Sequence, residues 1–272
     1  LACCALLVPW ALSGDTGLSS LVTGLAGHSG EYTSLFNEKG LEVLLAFGVP
    51  TAVGLIAAPF GDQCFWQRAF SIREDKMGRA FQLGALFFAV VPLSMGVLGF
   101  IAAGSGYVAQ DAGMVNFELV SSLFPEWVML PFLFMVISGL LSTTDSNLCA
   151  VASLTSDFGG DMGAAKGSML ALLVLAIVIA NIPGLAVTDL FLVYGALRAT
   201  TMLPTVLTLK GKSLSASGVT AGIAASLVIG MPVFIVGTIT GSAAMKTAGS
   251  LCALLLSGVI CMVTAPRKGA MV

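Results

Sequence analysis

Long apolar runs fill the chain at 41–61, 81–103, 128–152, 168–185, 187–209, 215–237 and 248–265. An α-helix rises about 1.5 Å per residue, so each run can cross a hydrocarbon core of about 30 Å, some with tilt. The apolar residues come in blocks rather than in strict alternation, which predicts helices and not strands. The stretch 168–209 is nearly continuous. It divides at Asn181-Ile-Pro183-Gly184, where proline and glycine end one helix and open the way to the next. The opening residues Leu1 to Leu12 are apolar but rise only about 18 Å. They lack the positive leader and small-residue cleavage site of a signal peptide. They read as the tail of a spanning helix that begins upstream. The expected organisation is one transmembrane domain over 1–272: a helix end at 1–12, an external loop at 13–40, core helices at 41–209 and two peripheral helices at 210–272.

Charged positions orient these spans. Arg68, Arg73, Lys76 and Arg79 follow the first full run, Lys166 the third, Lys210 and Lys212 the fifth, and Arg267 and Lys268 the seventh. Only Lys39 and Lys246 fall on the opposite side, so nine basic residues stand against two. The positive-inside rule then places loops 13–40 and 104–127 outside and the C-terminus in the cytoplasm of a multi-pass cell-membrane protein. Within loop 104–127, Val115 to Phe124 carries apolar residues at helical spacing, which predicts a short amphipathic helix at the outer mouth. The run 41–61 is interrupted by Gly48, Pro50, Gly54, Pro59 and Gly61. A helix broken in lipid exposes backbone groups that only protein or a water-filled cavity can satisfy. Broken helices of this kind line solute sites in secondary transporters. A kinked packing helix is the other reading, since glycine and proline are common in spanning helices.

Composition agrees with lipid as the main solvent: 57% of residues are hydrophobic and 10% charged, where a soluble domain carries about 25% charge. The net charge of −2 and the absence of a basic stripe give no footprint for nucleic acid. The six cysteines show no metal-binding spacing and read as buried thiols. One histidine, His28, lies in a polar loop. A membrane-embedded enzyme would need a nucleophile or a metal set inside the spans, and this inventory offers neither, so no catalytic residue or cofactor is expected.

Ser138-Gly-Leu-Leu-Ser-Thr-Thr-Asp-Ser-Asn-Leu148 places hydroxyls and a carboxylate inside a span, where polar groups usually bind or pair with something. Gly139, Ser142, Thr143 and Ser146 recur at three and four residues and share one helix face. Two hydroxyls and the carbonyl of a small residue one turn earlier can supply part of a sodium shell. The same spacing also suits helix packing through small residues, or hydroxyls that bond back to the i−4 carbonyl. Arg198 stands about eleven residues from either end of its run, roughly 16 Å from each surface, too deep to reach water easily. It either receives an anionic group of a solute or pairs with an acid such as Asp145. Tyr194 lies one turn away on the same face and either lines the same cavity or packs.

Three motifs carry a resemblance. Leu-Ser-Thr-Thr-Asp-Ser-Asn-Leu148, followed by Ser153-Leu-Thr155 and Asp157, looks like the sodium-site helix of the sodium:solute symporter family, one residue shorter before the final Asp. Gly61-Asp-Gln-Cys-Phe-Trp-Gln-Arg-Ala-Phe70 is similar to that family's Gln-Arg signature, and its form resembles the urea-active branch. Pro204, the basic loop Leu-Lys-Gly-Lys212 and Gly218 are similar to the family's proline-containing helix and exit loop. Together they cover about 40–220.

The resemblance implies a leucine-transporter-like, all-α membrane bundle in which 41–61, 81–103, 128–152, 168–185 and 187–209 are core helices six to ten. The first core helices would then lie outside this chain and be partners of the same protein. It also implies a sodium-coupled symporter of a small polar solute. Gly139, Ser142 and Thr143 would bind Na+ as the coupling ion, and Leu55, Ala58 and Pro59, with Tyr194 and Arg198, would face the solute. Asp62 and Gln63 would form an inner gate or a cap. Proton coupling through Asp145, or a sensor role, is the alternative. The substrate is unreadable: Arg198 points to an anion, the Asp62–Ala69 motif to a urea-like solute.

Overall fold

The computed structural model describes residues 2–14, 17–27, 36–108 and 112–266. His28, Arg267 and Lys268 lie outside the described residues. Among the described residues the chain is helical: α1 (Ala2–Ser13), α2 (Gly17–Gly24), α3 (Glu38–Val43), α4 (Val49–Gly61), α5 (Gln63–Ser71), α6 (Glu74–Gly104), α7 (Val115–Leu123), α8 (Met129–Asp157), α9 (Met162–Ala180), α10 (Val187–Leu209), α11 (Ala216–Ala225), α12 (Met231–Ile239) and α13 (Ala243–Val263). Counting α3–α4 and α11–α12 as one span each, seven are long and apolar enough to cross a membrane. They match the seven predicted runs, so the all-α membrane bundle stands. Several begin earlier than the apolar runs. α6 starts at Glu74 rather than 81 because Glu74, Asp75 and Lys76 continue the helix into the polar boundary, with the two acids in the first turn favouring its N-terminus. α9 stops at Ala180 and the predicted break follows, with Gly184 at φ +76° turning the chain before α10.

The chain forms two compact units, Leu1–Gly40 with Arg68–Leu173 and Leu41–Gln67 with Val174–Val272. In the first, Leu7, Leu98, Ile101, Leu119, Val120 and Phe132 make a buried core from α1, α6, α7 and α8. The predicted short helix at 115–124 is α7, tied to the end of α6 where Tyr107 donates its hydroxyl to Glu118 at 3.1 Å. Desolvation first, then that carboxylate, raises the Tyr107 pKa above its ordinary value. The expected loop 13–40 is partly helix. α2 presents Gly17, Ser20 and Gly24 as a small-residue face and lies against α6. A methyl added at Gly24 would meet the Phe100 carbonyl at 1.8 Å. At eight residues α2 is too short to register as an apolar run.

In the second unit α10 packs against α4, α12 and α13. The interruptions of 41–61, read as a broken or a kinked helix, fall into two kinds. Leu44–Gly48 is a π turn in helical conformation throughout, and Val49 N–H bonds to the Leu44 carbonyl instead of Leu45. Pro50 brings no N–H, so the Leu45 carbonyl has no donor in its own helix. The Thr247 hydroxyl of α13 donates to it. A second π turn, Ser226–Gly230, has the same ending: Met231 N–H reaches Ser226 and Pro232 follows. Both turns pack on α13. The real break comes later. Asp62 is extended, at φ −98° and ψ 118°, and separates α4 from α5.

Candidate functional site

Two glycines bring α4 and α10 together. A Cβ at Gly54 would stand 2.5 Å from the Gly195 Cα, so only glycine permits this approach. Further along, a Cβ on Gly61 would meet Thr201 Oγ1 at 2.9 Å and Arg198 Cα at 3.2 Å. Residues later in α4 thus face residues later in α10. The end of α4, and the break at Asp62, sit opposite the middle of α10. The break is where the irregular backbone falls, and part of its exposed polarity is met locally. Trp66 Nε1 donates to the Phe60 carbonyl at 3.3 Å and Asp62 N–H to the Ala58 carbonyl at 3.0 Å.

At the break Asp62 meets two polar residues of α10, Tyr194 and Arg198. Arg198 Nη2 donates to Asp62 Oδ2, and Tyr194 donates its hydroxyl to Asp62 Oδ1 at 2.7 Å. The guanidinium also lies over the Tyr194 ring, 3.7 Å from its centroid. The two charged side chains are 16% and 14% exposed. The acid beside Arg198 is therefore Asp62, where the sequence had offered Asp145. Asp62 precedes α5 directly, so the positive end of that helix's dipole favours its negative charge.

Arg198 Nε remains buried without a partner, as does Thr51 Oγ1 of α4. Both residues line one crevice with Pro50, Gly54, Leu55 and Phe191, too narrow to seat a water molecule. Of the predicted solute-facing residues, Leu55 and Arg198 line it. Tyr194 joins the ion pair beside it. Ala58 is buried at 7% exposure and Pro59 is exposed, and neither lines the crevice. Thr51 was missed: a single threonine in an apolar run gives no signal until a charged neighbour is known. On the other side of Gly61 a wider cavity of about 370 Å³ is lined by Trp66, Thr201, Pro204, Thr205 and Thr208.

The predicted sodium residues lie in the first unit. Thr143 Oγ1 donates to the Gly139 carbonyl at 2.9 Å, so this hydroxyl and carbonyl do stand together. Thr144 donates to Leu140 and Ser146 to Ser142, each at 2.9 Å, and Asn147 Nδ2 to the Thr143 carbonyl at 3.0 Å. These are hydroxyls and an amide bonding back to the i−4 carbonyls of their own helix. Gly139, Ser142, Thr143 and Asp145 are exposed, and the space beside Gly139 is open. Ser146 also accepts from Arg68 Nη2 at 3.0 Å.

No family model matches this chain, and no solved structure matches it. It is 24% identical over 269 residues to the urea-proton symporter DUR3 of Oryza sativa subsp. japonica, an alignment that covers 85% of the chain and 36% of that protein. The chain thus spans about a third of the length of this curated relative.

Proposed function

We propose that this chain is part of a cation-coupled symporter for a small polar solute, embedded in the cell membrane with its C-terminus in the cytoplasm. The observation that supports this most is the break at Asp62, set against Arg198 and Tyr194 midway along α10. A discontinuous helix with a charge pair at that depth is costly unless it handles polar cargo. The likeness to a urea-proton symporter points the same way and favours urea or a similar amide as cargo.

The coupling ion divides the proposal. Sodium would bind at Gly139, Ser142 and Thr143, with the rest of its shell supplied by helices outside this chain. A proton is favoured by the likeness to a protein described as a urea-proton symporter. In either case, coupling is a difference in ion affinity between two conformations, and ion and solute must strengthen each other's binding by the same factor. Uptake of labelled urea by the full gene product in proteoliposomes, under a sodium gradient or a pH gradient in turn, tests it. Accumulation under one of them is expected. Equilibration without accumulation under both would make the protein a channel or a facilitator.

A further inference from the structure

The wider cavity beyond Gly61 suits a lipid better than a polar solute. We propose that this cavity, between α5, α10 and α11, holds an acyl chain of an anionic phospholipid of the cytoplasmic leaflet, and that Lys210 and Lys212 hold its headgroup. The inference goes beyond the symporter reading and does not depend on the solute or the coupling ion.

The cavity measures about 370 Å³. α5 contributes Trp66, α10 the stretch from Thr201 to Leu209, and α11 Val219 and Ile223. Hydroxyls border it, yet each is already engaged. Thr201 donates to the Arg198 carbonyl at 3.0 Å, Thr205 to Thr201 at 2.8 Å and Thr208 to Pro204 at 2.9 Å. The indole N–H of Trp66 goes to the Phe60 carbonyl. A urea-like solute would find no side-chain donor waiting among these residues, and none of them carries a charge. Pro204, Leu209, Val219, Ile223 and the indole ring offer apolar surface instead, which an acyl chain fills without asking for a hydrogen bond. The depth also fits. From Thr201 to Leu209 the helix rises about 12 Å, close to one leaflet's half of a hydrocarbon core of about 30 Å. The inner end stops at Thr201, where Gly61 closes α4 against α10. The outer end stops at Leu209, which is 62% exposed.

The headgroup end is set by the turn that follows. Lys210 N–H bonds to the Val206 carbonyl at 3.0 Å, Gly211 to Thr208 at 2.9 Å and Lys212 to Leu207 at 3.1 Å. Gly211, at φ +72°, lets the chain fold back in this way. Two exposed lysines therefore stand at the end of the cavity marked by Leu209. Among the described residues neither has an ion-pair partner. Residues 190–272 contain no Asp or Glu, so this stretch has no acid with which to neutralise them. The positive-inside rule assigns this turn to the cytoplasmic face, whose lipids supply anionic headgroups. A phosphate carrying an acyl chain meets both features at once. Free phosphate would leave the cavity unfilled, and a zwitterionic lipid would bring its own cation to the lysines.

The test uses the full gene product in phosphatidylcholine vesicles doped with phosphatidylglycerol or phosphatidylcholine brominated on the acyl chain, bromine being a contact quencher of indole emission. The difference between wild type and Trp66→Phe isolates the signal of Trp66. Brominated phosphatidylglycerol should quench that signal at an about tenfold lower mole fraction than brominated phosphatidylcholine, as two lysines beside an anionic headgroup would give. Lys210→Gln with Lys212→Gln should make the two quenching curves coincide. Should Trp66→Phe fail to fold, wild type against the lysine pair variant, whose changes are at exposed positions, reads the same preference in the total emission. Equal quenching by both lipids in wild type overturns the inference, because the chain would then enter without any choice of headgroup. A Trp66 signal that neither lipid quenches also overturns it and assigns the cavity to other helices of the full protein. A phosphatidylglycerol preference that survives in the lysine variant removes the lysines from the site and overturns the inference as stated. Uptake is measured separately, so the symporter reading stands or fails apart from these outcomes.

Discussion

Along α10 the charged residue at depth is closed in: Arg198 is held by Asp62 and Tyr194 beside a glycine contact with α4. Along α8 the polar residues at depth stand open. Thr143 and Thr144 bond to carbonyls of their own helix, and the face they occupy is exposed. About a third of the apolar window in the α10 span is buried, against 11% in the α8 span. The contrast follows from the chemistry of the groups. A guanidinium cannot satisfy itself within a helix and must find an acid elsewhere in the fold. A hydroxyl can, at the i−4 carbonyl, so a hydroxyl face can wait for a partner at little cost. An ion or another helix arriving there needs only to substitute one oxygen contact for another.

The comparison can be broken most severely at the glycine contact. Gly54→Val or Gly195→Val forces side-chain atoms into backbone and should cost at least about 3 kcal/mol, read as lost thermal stability of the purified protein. A variant as stable as the parent would mean the two helices do not meet as described. Next comes the ion pair. Arg198→Gln leaves Asp62 sheltered without its cation and should cost roughly 3–5 kcal/mol, most of it regained in Asp62→Asn/Arg198→Gln. A double variant no better than the single would assign the loss to packing over Tyr194. A smaller effect is expected at the π turn, where Thr247→Val leaves the Leu45 carbonyl without a donor, at about 1 kcal/mol. The smallest belongs to α8. Ser142→Ala/Thr143→Ala should change stability by less than about 0.5 kcal/mol while removing any sodium stimulation of uptake. Full sodium stimulation in that variant would rule these oxygens out as ligands.

Seven spans, the break at 181–184 and the short helix in loop 104–127 were legible because each rests on local signals: apolar length, a proline–glycine pair and helical spacing. Arg198 was legible as an anomaly for the same reason. Its partner was not, because Asp62 is 136 residues away and only the meeting of α4 with α10 selects it over Asp145. At Gly48 and Pro50 the run 41–61, read as broken or kinked, is a π turn, and a hydroxyl from α13 takes the carbonyl that proline orphans. Helix α2 escaped notice because its burial depends on glycine contacts and not on hydrophobicity.

The two Gly-x-Pro endings have a consequence for chain length. A π turn accommodates one residue more than the regular spiral around it needs. Removing one residue between 44 and 48 would let that stretch close as an ordinary helix. It would also swing α3 by about 100° around its axis, carrying Glu38 and Glu42 to a new side. Homologues one residue shorter at either turn should therefore show the buried and exposed positions of the helix upstream shifted in phase, a signature readable from letters alone.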